Sequence, residues 1–198
     1  MSEVLEVDET EQRVTARVDV DGLTTVELRL DEPATELVEA AWARIAAAGI
    51  CDLLPAAGAR PHVSLLVGRS ADGDAAVAAL DRALAGIPAP RLDFPYIGVF
   101  RGEPLVVYLG VSPTPELAAL QRLVHDAVAP TLRSVDEHYH PSRIVPHCTL
   151  ARSVGRDHLL GCLALVRGLT LPTASIVTEA TLVDYAPARV RATRPLGA

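Results

Sequence analysis

A chain of 198 residues is long for one ordinary domain and short for two, which points to one globular unit or two small, intimately packed lobes. With 49% apolar and 22% charged residues it has material for a sizeable core, so wholesale disorder is excluded. The net charge of -7 disfavours a broad surface for long nucleic acid, and because all 18 basic residues are Arg, mechanisms built on a P-loop Lys, a Schiff-base Lys or the adenylated Lys of a covalent ligase are ruled out together.

Residues 1–21 stand apart. The start, Met1-Ser2-Glu3-Val4-Leu5-Glu6, is acidic and has neither the basic stretch nor the apolar run of a secretory signal. Val14, Ala16, Val18 and Val20 alternate ahead of Asp21-Gly22, a hairpin signal that predicts an edge strand behind an acidic tail. Residues 24–30 then alternate, with Val26, Leu28 and Leu30 on one face, and read as a half-buried strand. A helix follows, with Thr35 as its N-cap, Leu37, Ala41, Ile45 and Ala48 at near-helical spacing, and Gly49 at its end. The loop 49–61, broken by Pro55 and Gly58, delivers the chain to a strand at 62–67. A helix at 74–84 carries Val77, Leu80 and Leu84 on one side, and 92–100 reads as another strand.

The same order then starts again. Residues 105–111 form a strand, and Thr114 caps a helix that begins at Pro115 and shows the stripe Leu117, Leu120, Val124 and Val128. A long loop, 129–146, leads to a strand at 147–151, a helix at 157–167 ending at Gly168, and a final strand at 174–185; residues 187–198 read as irregular. Val107 follows Val26 by 81 residues, His147 follows His62 by 85, and Val177 follows Leu92 by 85. A nearly constant offset indicates an internal duplication. The predicted fold class is α+β: a duplicated βαβαβ unit with pseudo-two-fold symmetry, forming one bilobal domain over 22–198 with a central cleft. The lobes are expected to follow the halves 22–102 and 103–185.

Three widely spaced Cys residues, Cys51, Cys148 and Cys162, without a C-x-x-C, suit reduced thiols in a cytoplasm. The longest uncharged stretch, 104–115, has 12 residues, short of the roughly 20 that a membrane-spanning helix needs, so no membrane partner is expected. Aromatic residues make up 4%, too few for an extended base-stacking platform. A nucleic-acid partner is therefore expected to be small: a nucleotide or a short RNA end, bound by a monomer.

Chemistry concentrates at two matching places, Pro61-His62-Val63-Ser64-Leu65 and Pro146-His147-Cys148-Thr149-Leu150. Residues i and i+2 of a strand share a face, so each lobe presents an imidazole beside a hydroxyl, and pseudo-symmetry sets the two pairs against each other across the cleft. In-line displacement at a phosphodiester uses such an array. One His takes a proton from the attacking oxygen, the other protonates the leaving oxygen, and Ser64 and Thr149 hydrogen-bond the non-bridging oxygens. This scheme needs no metal and no cofactor. A lone His on a strand is usually a structural residue; two, each between Pro and a hydroxyl at the duplication period, are not explained that way.

The paired H-x-[S/T] motifs, in a duplicated chain of this size, resemble the 2H phosphoesterase superfamily, in particular the branch named after 2'-5' RNA ligase. The resemblance implies a bilobal fold with antiparallel-rich sheets, a groove lined by His62, Ser64, His147 and Thr149, and metal-independent action on 2',3'-cyclic phosphates or 2'-5' linkages in small RNA-derived substrates. The N-terminal segment and the loop 136–141 lie outside the family's pattern and leave the choice of substrate open.

Supporting residues follow from strand parity. Arg60, two before His62, falls on the cleft face and is a candidate phosphate partner, against an exposed loop Arg as the bland alternative. Arg152 falls on the opposite parity, at a strand end, and is a weaker candidate. Tyr139 is placed to stack a base from the long loop, and Phe100 with Arg101 to line the groove; for these a structural role competes. Trp42 reads as packing, and Cys148 as a buried apolar residue and not a nucleophile. His138-x-His140, with His125 or Cys148, suggests a metal site, but no further carboxylate or Cys stands at ligand spacing. Besides the phosphoesterase, two readings remain: a non-catalytic module that holds a nucleotide or phosphometabolite in the same groove, and 2'-5' RNA ligation as the reverse reaction.

Overall fold

Among the described residues, alternating apolar residues build ten strands around which five helices pack. The computed structural model describes residues 22–70, 72–102, 104–185 and 188–197; the edge strand expected at 14–20 lies outside them. In chain order the elements are β1 (Leu23–Arg29), α1 (Glu32–Ala47), the single turn α2 (Leu53–Ala56), β2 (His62–Ser70), α3 (Gly73–Leu84), β3 (Arg91–Asp93), β4 (Tyr96–Phe100) and β5 (Leu105–Gly110). They continue as α4 (Pro115–Val128), β6 (Leu132–Val135), β7 (His147–Val154), α5 (Leu159–Arg167), β8 (Ala174–Ile176), β9 (Glu179–Asp184) and β10 (Arg189–Pro195).

Among the described residues all strand pairing is antiparallel. One sheet has the order β10-β9-β1-β2-β6, a second β4-β5-β7, and β3 pairs with β8 in a two-stranded ribbon. The duplication is visible in this topology: β1 and β5 lie beside the motif strands β2 and β7, and β3 and β8, equivalent elements of the two halves, pair with each other. The lobes are nevertheless built across the chain midpoint and do not follow the halves 22–102 and 103–185. β4 comes from the first half but completes the second sheet, whereas β9, β10 and β6 come from the second half and complete the first. Helices cross over too: α1 packs on β7 and α5, while α4 packs on β2 and α3. Val26, Leu28, Val63, Leu80, Val124, Leu150 and Leu182 are buried in the continuous core that results.

Several boundaries differ from the sequence reading. The first helix begins four residues earlier than Thr35 implies; Asp31 is its N-cap, accepting from the Ala34 amide, and Pro33 fits the first turn. Thr35 is buried and donates its hydroxyl to the Leu30 carbonyl instead. The span 92–100 breaks at Phe94-Pro95 and 174–185 at Val177-Thr178, so each supplies strands to two different sheets. The loop 129–146 contains β6, and the stretch read as irregular contains β10. Thr114 caps α4 as expected, accepting from the Leu117 amide.

Candidate active site

Each motif strand carries a β-bulge at the same point. Val26 stands opposite Leu66 but Glu27 opposite Ser64, so Leu65 is an extra residue in β2. Tyr108 stands opposite Thr149 but Val107 opposite Ala151, so Leu150 is an extra residue in β7. A bulge shifts which face later residues occupy. His62 with Ser64, and His147 with Thr149, therefore share the cleft face, while the two residues after each hydroxyl both turn into the core. The shift also brings Arg152, opposite Val106, back to the face of Thr149. Strict alternation had put Arg152 on the wrong side; the bulge corrects it.

Both imidazoles are tethered alike. His62 Nδ1 lies 2.6 Å from the Arg60 carbonyl oxygen and His147 Nδ1 2.7 Å from that of Val145. A carbonyl only accepts, so each Nδ1 carries the proton and each Nε2 is the nitrogen left for chemistry. The strands themselves meet: β2 contacts β7, and the His62 main-chain N–H donates to the Cys148 sulfur. Burial pushes the Cys148 thiol up to about 12, which agrees with its reading as an inert core residue.

The surroundings of the two rings differ. Beside His62 lies Glu27, fully buried, with its Oε1 3.6 Å from His62 Nε2. That carboxylate accepts from Thr25 Oγ1 at 2.6 Å and from the Tyr185 hydroxyl at 2.7 Å, and pairs with Arg29 at 3.0 Å. Burial, then the Glu27 charge, raises the Tyr185 phenol, which stays a proton donor to Glu27. Arg29 also reaches the Arg60 carbonyl at 3.4 Å, the oxygen that holds His62.

Around His147 the neighbours are aromatic. Phe100 and Tyr108 stack at 4.1 Å between centroids, and the His147 ring stands edge-on to both, at 4.8 and 5.2 Å. Gly98 makes room for this floor, because a Cβ there would fall 2.4 Å from the Tyr108 ring. Burial lowers the His147 imidazole to about 4; the Val145 carbonyl opposes the shift, and the charges of His62 and Arg152 add to it. A cavity of about 310 Å³ opens on this side, bounded by Phe100, Tyr139, Val145, His147, Thr149 and Arg152.

Tyr139 reaches the site by way of β6, which pairs with β2 and carries the following turn over the first motif. Its phenol is hydrogen-bonded to Ser64 and pushed up to about 12, chiefly by burial. The structure thus groups His62, Ser64, His147, Thr149, Arg152 and Tyr139. Arg60 contributes its carbonyl, and its side chain is exposed. Arg101 is also exposed. Trp42 is buried as expected and in addition donates from Nε1 to the Thr149 carbonyl at 3.0 Å. His138 is exposed and bound to Asp136, and His140 is bound to Ser142; among the described residues no group of three or more His, Cys, Asp or Glu side chains is arranged to hold a metal ion. Sequence reasoning missed Glu27, Arg29, Tyr108 and Tyr185.

A profile described as the 2'-5' RNA ligase superfamily matches residues 30–189. The chain belongs to that superfamily. Its fold is that of the 2H phosphoesterases, as similar solved structures show. One, described as a phosphoesterase, is 19% identical with a TM-score of 0.57, covering 90% of this chain and 99% of its own. E. coli LigT complexed with 3'-AMP is 20% identical with a TM-score of 0.56, covering 87% and 94%. Kluyveromyces marxianus Usb1 is 14% identical with a TM-score of 0.52, covering 89% and 99%. No curated protein matches the chain. Among the described residues no helix is long and apolar enough to cross a membrane. Membership in the superfamily supports an enzyme acting on phosphodiester bonds of RNA or nucleotides.

Proposed function

We propose that the chain is a metal-independent phosphoesterase that opens a 2',3'-cyclic phosphate or cleaves a 2'-5' linkage in a nucleotide or short RNA end, working as a cytoplasmic monomer. The observation that carries this reading is the pair of imidazoles, each tied through Nδ1 to a carbonyl two residues earlier and so left with Nε2 for proton transfer. One ring takes the proton of the attacking oxygen as its bond to phosphorus forms. The other gives a proton to the leaving oxygen as that bond breaks. Ser64, Thr149 and Arg152 bind the non-bridging oxygens in this scheme, as their charge grows in the transition state. With both proton transfers assigned to His, no metal-bound water is needed to supply a nucleophile.

The test is a panel of 2',3'-cyclic nucleotides and 2'-5' dinucleotides incubated with the protein in EDTA, with products identified by mass. Turnover that survives the chelator is the expected result. Activity lost to EDTA and restored by zinc would overturn the two-His scheme, and tight binding without turnover would make the chain a nucleotide-binding module.

A further inference from the structure

Register sets Glu27 and Tyr108 at equivalent points of the duplicated halves: Glu27 lies opposite Ser64 and Tyr108 opposite Thr149. A symmetric frame thus puts a carboxylate beside one imidazole and an aromatic ring beside the other. We propose that Glu27 is a positioning residue that makes His62 the proton donor of the reaction and leaves His147 as the acceptor, an inference that rests on the phosphoester-transfer reading above.

In the His–carboxylate pairs that generate a base, the carboxylate holds the ring nitrogen that does not react. In this site that nitrogen, His62 Nδ1, belongs to the Arg60 carbonyl, and the carboxylate faces Nε2, the reacting one. His62 Nε2 faces that carboxylate at 3.6 Å, beyond hydrogen-bond distance, so Glu27 aligns the ring without holding the proton it gives up. Among the described residues His147 has no such carboxylate partner: its neighbours are Phe100 and Tyr108, and burial pushes its pKa down to about 4. Thr25, Tyr185 and Arg29 hold the Glu27 side chain in this position. A fully buried carboxylate is costly to keep for stability, and its position beside His62 accounts for its presence. In the step that follows, His147 Nε2 takes the proton of the attacking O–H and the new O–P bond forms. The P–O bond to the leaving group breaks with its electron pair on that oxygen, which receives the proton of His62 Nε2.

A general acid matters only when the leaving oxygen needs a proton. Two esters of adenosine 2'-phosphate separate the roles: the 2'-5' dinucleotide, whose leaving group is an alkoxide, and the p-nitrophenyl ester, whose leaving group departs as the anion. Glu27→Gln should lower kcat on the dinucleotide by roughly 10-fold to 100-fold at similar KM, with a loss at least about 10-fold smaller on the nitrophenyl ester, and Glu27→Asp should recover part of the dinucleotide activity. His62→Ala should repeat the pattern, whereas His147→Ala should lose equally on both. Equal losses for Glu27→Gln on the two esters overturn the proposal. If Glu27→Gln does not fold, the His pair still decides: a His147→Ala enzyme spared by the nitrophenyl ester reverses the roles. Wild-type protein inactive on both esters, and on the cyclic nucleotides, is the separate failure of the phosphoesterase reading itself.

Discussion

Gln121 does for the first motif strand what Trp42 does for the second: each reaches from a helix to a main-chain carbonyl at the bulge that follows the hydroxyl residue. Gln121 Nε2 donates to the Leu65 carbonyl at 3.2 Å and to the Tyr139 carbonyl at 2.9 Å, and Trp42 Nε1 donates to the Thr149 carbonyl at 3.0 Å. A bulge interrupts the ladder and strands a carbonyl, which when buried needs a donor from elsewhere. Crossing of α1 and α4 to opposite sheets supplies one in each lobe. Gln121→Ala leaves two carbonyls without that donor and should cost about 2 to 4 kcal/mol of unfolding free energy in urea. Trp42→Phe keeps most of the ring and removes one donor, so about 1 to 2 kcal/mol is expected. A neutral Trp42→Phe variant would show that the Thr149 carbonyl does not depend on the indole.

Stability should carry the signature of His147. Its folded-state value is lowered from 6.5 to about 4, so between those values the unfolded chain binds more protons than the native one. Unfolding free energy then rises with pH across that window, is fully present above about 6.5, and is lost as pH falls toward 4. His147→Asn should flatten this part of the curve, as followed by urea unfolding at several pH values. In the wild type the same depression keeps the ring a neutral acceptor, so the acid limb of kcat/KM should lie well below the ordinary His value. An acid limb near 6.5 that disappears in His147→Asn would contradict the buried, aromatic setting of the ring.

The aromatic floor is testable through its glycines. A Cβ on Gly98 would meet the Tyr108 ring at 2.4 Å, and Tyr108 is buried against Phe100 and His147. A Cβ on Gly110 would meet the Tyr96 ring at 2.1 Å, but Tyr96 is 45% exposed and can swing into solvent. Gly98→Ala should therefore destabilise by about 1 to 3 kcal/mol, the usual scale of overpacking, and lower kcat. Gly110→Ala should cost less on both measures. Equal effects would mean that the Tyr108 stack does not constrain His147.

Much of the site was readable because the duplication repeats a short period-2 pattern. His62 and Ser64, like His147 and Thr149, share a face by alternation alone, and the constant offset brings the motifs together. What alternation cannot reveal is an extra residue: nothing in Leu65-Leu66 or Leu150-Ala151 announces a bulge, so Arg152 appeared on the wrong face. Glu27 was hidden by a similar ambiguity. Thr25, Glu27 and Arg29 make a polar face that reads as the solvent side of a half-buried strand, yet the cleft closes over it and Glu27 is fully buried. The exchange of β4 and β9 between sheets is a matter of long-range pairing, on which the local pattern of either strand is silent.

The two Arg candidates should separate in a mutant assay. Arg152 stands on the cleft face with Thr149, whereas Arg60 serves through a carbonyl that any residue provides. Loss of a charge-assisted phosphate contact costs about 1.5 to 3 kcal/mol, so Arg152→Ala should reduce kcat/KM roughly 10-fold to 100-fold. Arg60→Ala should stay within about 3-fold of wild type. A large loss at Arg60 with little at Arg152 would mean that the phosphate lies outside the bulged face of β7.

The His and hydroxyl residues should differ in kind as well as in size. His62→Ala and His147→Ala each remove one proton transfer and should lower kcat on the dinucleotide by roughly 10²-fold or more. The double variant should be little worse than the poorer single one, because a concerted transfer that has lost one partner gains little from the other. Ser64→Ala and Thr149→Val leave both imidazoles tethered to their carbonyls, so substantial activity should remain and the pH profile should keep its shape. Ser64 has the further role of binding the Tyr139 phenol, and its loss should therefore raise KM more than that of Thr149. Steady-state kinetics of the five variants at several pH values make the comparison. A folded single His variant with near wild-type turnover would end the acid–base assignment, and strictly additive losses in the double variant would show that the two rings act in separate steps.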